Sequence, residues 1–119
     1  MRRYVQFAAV VCAGLVLAVE AAEGTDAMLA RIPSLPENVH GTALNRRGVL
    51  VKTRKPTQDG KTDLPVIGVD TVRNAAAAGL AGIAVEAGAA LVVNRKAVIE
   101  AADNAGLFVF GFRPSGATG

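Results

Sequence analysis

The opening run Met1–Glu23, MRRYVQFAAVVCAGLVLAVEAAE, constrains the fold most, because an apolar segment of this length has to be buried in something. Two readings fit it. Arg2 and Arg3, the apolar run Val5–Val19 and the small residues around Ala18 and Ala21 have the layout of a secretory signal. The same residues read as two strands, Tyr4–Val11 and Leu15–Glu20, joined by a tight Ala13-Gly14 turn. Composition does not separate a short apolar helix from a buried hairpin. The run is shorter than the ~20 residues that cross a hydrocarbon core, and no later stretch could span a bilayer.

The remainder of the chain must complete a core from small side chains. Hydrophobic residues make up 51% of the 119-residue chain, yet only 4% are aromatic and Trp is absent, so alanine and valine carry the apolar content. Such a core suits helices packed closely on a sheet, and the length allows one small domain. A helix over about Ala27–Arg31 comes after Glu23-Gly24-Thr25-Asp26, with Thr25 or Asp26 as its cap and Pro33 beyond its end. Pro33–Arg47 shows no periodicity and reads as a surface connection, with His40 a solvated loop residue rather than a zinc ligand.

Gly48–Lys52 reads as a strand. Asp70 caps a helix that runs to Gly79 and buries Val72, Ala75, Ala76 and Leu80. Gly82–Glu86 and Ala90–Val93, on either side of Ala87-Gly88, carry a second hairpin signal. Asn94 caps a helix over Arg95–Asn104, with Ala97, Val98, Ala101 and Ala105 as its buried stripe, and Gly106 ends it. Leu107–Phe112 is a last strand, which places the domain at residues 1–112 and a flexible tail at 113–119. The fold class is α/β: a single mixed-sheet domain with helices packed on the sheet.

The chemistry concentrates in Leu50–Gly68, LVKTRKPTQDGKTDLPVIG, where lysines and aspartates share a Pro- and Gly-punctuated loop. Aspartates are hard oxygen ligands for Mg²⁺ or Mn²⁺, and lysines donate to phosphate oxygens, so the loop holds the parts for cleaving a phosphate anhydride. Asp59 and Asp63 could converge on one ion, although a solvated turn explains the same spacing. Glu23, Thr25 and Asp26 form a second polar group at a strand-to-helix turn, a place where amides and carboxylates meet phosphates or their metals, and helix capping accounts for it equally. Cys12 is the single cysteine, excludes an internal disulfide, fits a reducing compartment and reads as a small buried hydrophobe. The net charge of +3 is scattered in pairs with no interleaved aromatics, which argues against nucleic acid as the partner. Dinucleotide, P-loop, C-x-x-C and H-E-x-x-H fingerprints are absent from the sequence.

Three long strings, VLAVEAAEGTDAML (Val16–Leu29), GVLVKTRKPTQDGKTDLPVIGVDTV (Gly48–Val72) and AGLAGIAVEAGAALVVNRKAVIEAADNAGLFVFG (Ala78–Gly111), closely resemble the C-terminal domain of the LpxI-type UDP-2,3-diacylglucosamine pyrophosphatases of lipid A biosynthesis. The resemblance implies a cytoplasmic enzyme, peripheral to the inner membrane, that uses Mg²⁺ and water to split UDP-2,3-diacylglucosamine into UMP and 2,3-diacylglucosamine 1-phosphate. It implies Asp63, in TDLP, as the essential aspartate, acting as metal ligand or water-orienting base. Asp26, Glu23 and Asp59 are candidate further metal ligands, and Thr25, Lys52, Lys55 and Gln58 candidate phosphate or substrate contacts. Family proteins have two domains with the substrate between them, so a C-terminal fragment is expected here. Its partners would be the N-terminal domain or a separate gene product supplying it, the inner-membrane surface and a second copy as a homodimer. An inactive fragment or a non-catalytic module binding the lipid sugar phosphate is the alternative. The resemblance also decides the opening run in favour of the internal hairpin.

Overall fold

A computed structural model describes residues 5–20, 23–55, 66–87 and 91–113. The opening run is a hairpin: β1 (Val5–Cys12) and β2 (Leu15–Val19) pair antiparallel. Ala13 and Gly14 both take positive φ, 51° and 84°, the backbone of a two-residue turn whose twist matches the strands. The short helix α1 (Thr25–Arg31) is next, then two 3-10 turns at Ile32–Ser34 and Glu37–Val39. Beyond them come β3 (Val49–Lys55), β4 (Val66–Ile67), α2 (Val69–Ala77), β5 (Gly82–Glu86), β6 (Leu91–Val92), α3 (Arg95–Ala105) and β7 (Phe108–Phe112).

The main sheet has five strands in the order β2-β1-β3-β5-β7. β3, β5 and β7 pair parallel, joined through α2 and α3, and β1 runs antiparallel beside β3. Because side chains alternate across a strand, registered residues such as Val10, Leu50 and Ile83 share one face, and all three are fully buried. Met28 and Leu29 of α1, Val72 and Ala75 of α2, and Val98 and Ala102 of α3 join the same cluster. The result is two layers, with the three helices on one side of the sheet.

Several local expectations need correction. Gly24, not Thr25 or Asp26, stands at the N-cap of α1 and makes no side-chain cap; its φ of 91° is one a glycine tolerates. Gly68 rather than Asp70 precedes α2, where its N–H donates to Thr71 Oγ1 at 3.3 Å, while Asp70 is exposed beside Arg73. Gly82–Glu86 and the strand at 91–92 do not form a hairpin. β5 already has β3 and β7 as neighbours, so β6 pairs parallel with β4 in a separate two-stranded ribbon. His40 is buried at 8% exposure, its Nδ1–H donating to the Gly41 carbonyl at 2.8 Å. The segment before β3 is also less of a surface connection than expected. Arg46 reaches the carbonyls of Ala76, Leu80 and Ala105 at 2.8, 3.4 and 3.0 Å, closing the ends of both long helices. Asn94 does cap α3, its Oδ1 accepting from Ala97 N–H, and Gly106 ends it at a φ of 79°. Of the expected tail over 113–119, residues 114–119 lie outside the described residues.

Candidate active site

In open α/β sheets ligands gather at the carboxyl ends of the strands. β2, β3, β5 and β7 all point the same way, because β1 alone is reversed. Glu20, Lys55 and Glu86 therefore finish their strands along one edge, with Lys52 one turn of the pleat inside it.

Lys52 is the unusual residue there. It lies two positions beyond Leu50, so it shares the helix-covered face and is 5% exposed. Its Nζ donates to the Val66 carbonyl at 3.1 Å, which ties β3 to the start of the β4–β6 ribbon. Burial pushes its ammonium below the ordinary lysine range, and the carboxylates of Glu20 and Asp26 act in the opposite sense. These two acids thus face a cation that has been largely withdrawn from water.

Glu20 comes into this group through the hairpin. Its N–H donates to the carbonyl of Ala8, and Ala8 is the register partner of Lys52 across β1 and β3. Thr25 Oγ1 donates to Glu20 Oε1, so the first residue of α1 is fastened to the end of β2. Asp26, one residue on, lies on a groove of about 250 Å³ between α1 and α2, also lined by Leu29, Ala30, Pro33, Asn74 and Ala78. Glu23 turns away into an ion pair with Arg31 at 2.7 Å, and Arg31 also reaches the Val19 carbonyl at 3.4 Å. On the opposite face of the sheet, Thr53 Oγ1 donates to Glu86 Oε1.

The structure therefore brings Thr25, Asp26 and Lys52 together and sets Glu23 against α1. Gln58, Asp59 and Asp63 lie outside the described residues, as does the side chain of Lys55. Glu20 and Glu86 are additions that the sequence pattern did not single out. An acid placed directly after a strand and before a glycine turn is the available signal for Glu20, and a lysine on the buried parity of VLVK is the signal for the depth of Lys52.

Glu20 and Asp26 are hard oxygen donors of the kind Mg²⁺ takes, and Mg²⁺ commonly uses only one or two carboxylates with phosphate oxygens and water completing its shell. Among the described residues no three acidic, histidine or cysteine side chains gather as a complete ligand set. The described part of the edge fits one wall of such a site, a pair of acids beside a buried ammonium.

The LpxI C-terminal domain family matches residues 4–110. The chain is 63% identical over 106 residues to the UDP-2,3-diacylglucosamine pyrophosphatase LpxI of Caulobacter vibrioides, a match covering 89% of this chain and 38% of that protein. The chain thus spans well under half the length of that curated relative. With an α/β sheet and a carboxyl-end cluster built from the matched residues, this chain belongs to the LpxI C-terminal domain family.

Proposed function

We propose that the chain supplies the C-terminal part of a UDP-2,3-diacylglucosamine pyrophosphatase site in lipid A synthesis, releasing UMP and 2,3-diacylglucosamine 1-phosphate. The observation that carries this reading is the 63% identity to a protein named for that activity. Mg²⁺, or Mn²⁺ in its place, would supply charge neutralisation at the diphosphate and orient water. Asp63 is assigned as ligand or water-orienting base, and Asp59 and Asp26 as further ligands. Glu20 joins them on the strength of its position beside Lys52 and Thr25. Glu23 is the weakest of these ligands, since its carboxylate is engaged by Arg31. Lys55 and Gln58 are assigned to the phosphates. Lys52 acts from below, holding the end of the loop through Val66 and contributing positive potential. The work is cytoplasmic, at the inner-membrane surface, and the chain acts with an N-terminal domain.

The test is release of UMP from UDP-2,3-diacylglucosamine with and without Mg²⁺, by the chain alone and by the full-length Caulobacter vibrioides relative. Substituting Asp63→Ala, and its equivalent in the relative, is expected to bring release down to background in both. Full Mg²⁺-dependent release by the Asp63→Ala proteins would remove Asp63 from its role. The 38% coverage favours a second outcome for the isolated chain: binding of 2,3-diacylglucosamine 1-phosphate, read by titration calorimetry, without turnover.

A further inference from the structure

Thr25 does different work from the phosphate or substrate contact that its residue type suggests. It is the first residue of α1, after Gly24 at the N-cap. A threonine hydroxyl has one proton to donate, and that of Thr25 goes to Glu20 Oε1. A hydroxyl so engaged has none left for a phosphate oxygen.

Glu20 is the residue that gains from this bond. It follows directly on β2, and its N–H, donating to the Ala8 carbonyl at 2.8 Å, keeps its backbone in register with the sheet. That order stops at Cα. Beyond it a glutamate turns about several side-chain torsions, whereas threonine, branched at Cβ, is restricted to few rotamers. The hydrogen bond ties the looser side chain to the stiffer one, and the carboxylate acceptor makes it a charge-assisted bond of the stronger kind. The stiffer partner is itself well held. At the far end of α1, Arg31 donates to the Val19 carbonyl at 3.4 Å and pairs with Glu23 at 2.7 Å. Both ends of the helix thus return to consecutive residues, Val19 and Glu20, at the end of β2.

We propose that Thr25 is a positioning residue for the metal site: by holding Glu20 through Oε1, it leaves Oε2, together with the carboxylate of Asp26, as the oxygens offered to a divalent cation. The inference rests on the reading of Glu20 and Asp26 as ligands, and adds to it the group that orients one of them. A ligand fixed before the ion arrives loses little freedom on binding, which is why the groups behind metal ligands matter to affinity nearly as much as the ligands themselves. Thr25 is suited to this by its place in the chain. Because Thr25 and Asp26 are consecutive, one helix start sets both carboxylates.

Titration of the purified chain with Mn²⁺, the free ion being counted by electron paramagnetic resonance, tests this. Thr25→Val keeps the branched shape and removes the hydroxyl, and it is expected to weaken Mn²⁺ binding ~10-fold or more, the usual effect of losing the partner behind a metal ligand. Thr25→Ser restores the hydroxyl and is expected to bind as the wild type does. Circular dichroism checks that each variant is folded, and the Arg31 tie to Val19 holds α1 in place when the hydroxyl is gone. Side-chain scalar couplings of Glu20, read by NMR without metal, are expected to report one rotamer in the wild type and Thr25→Ser and an average in Thr25→Val. A bond that merely fastened α1 to β2 would move the urea midpoint and leave the Mn²⁺ affinity of the folded chain unchanged. Thr25→Val binding Mn²⁺ as tightly as the wild type, while Glu20→Gln binds it more weakly, removes Thr25 from its role and leaves Glu20 as a ligand. Glu20→Gln with wild-type affinity, or a wild-type chain with no saturable Mn²⁺ binding, overturns the ligand reading and the proposal with it.

Discussion

The two faces of the sheet are made from alternate residues of the same strands, yet they obey opposite rules. Along Val49-Leu50-Val51-Lys52, hydrophobicity alone would bury Val51 and expose Lys52. The structure instead buries Lys52 more deeply, at 5% exposure, and leaves Val51 only partly covered. What differs is the second layer. α1, α2 and α3 remove water from the parity of Leu50 and Lys52, whereas among the described residues no helix lies over Val51, which stays partly exposed even though its neighbour Ala9 is buried. Burial here is a property of the face, and the side chain's own preference comes second.

The contrast can be broken most visibly at Leu50. Leu50→Ala leaves a cavity under the helices and is expected to cost about 2–5 kcal/mol in urea unfolding, while Val51→Ala, one residue on, is expected to cost less than about 1 kcal/mol in the monomer. Equal costs for the two would dissolve the distinction. Asn94→Ala, which removes the cap from a helix that builds the covered face, is expected to cost about 1 kcal/mol, measured the same way.

A pH series sharpens the comparison at Lys52. Its folded-state pKa is depressed by burial, so the unfolded chain binds more protons between that value and the ordinary lysine value of 10.5. The lysine's contribution to stability is therefore poorest below its depressed folded-state pKa and improves as pH rises from there toward 10.5. Relative to Lys52→Met, the wild-type protein is expected to gain stability from pH 7 toward pH 10 in parallel urea titrations. A flat difference would mean that Lys52 is not desolvated. The smallest effect is expected on the bare face, where Phe110→Ser changes the monomer's unfolding free energy by no more than about 0.5 kcal/mol.

Most of the fold was legible because its signals are local. β-branched runs about Ala13-Gly14 mark the first hairpin, and Asn94 with Gly106 mark both ends of α3. The misread hairpin at Gly82–Val93 shows what local reading misses. Parallel pairing joins residues that no short turn connects, and β5 is claimed from both sides by strands far away in sequence. β4 is too short to carry a pattern, and the burial of His40 arises from tertiary packing that its neighbours in sequence do not announce. At the candidate site, Lys52, Thr25 and Asp26 were found by residue type. Glu20 was missed because its relation to Lys52 runs across β1, through a register that becomes visible only once the sheet is assembled.

Arg46 carries a consequence for how the domain comes together. One guanidinium fills carbonyls at the end of α2, just beyond it, and at the end of α3, fifty-nine positions later in the chain. Until residue 105 has been made and folded, the contact to α3 does not exist, so a nascent chain stopped short of α3 leaves the Arg46 Nε–H without its Ala105 carbonyl. Synthesis from the N-terminus thus gives an early hairpin but a late closure, and the last-turn amides of α2 and α3 are expected to exchange together in hydrogen exchange.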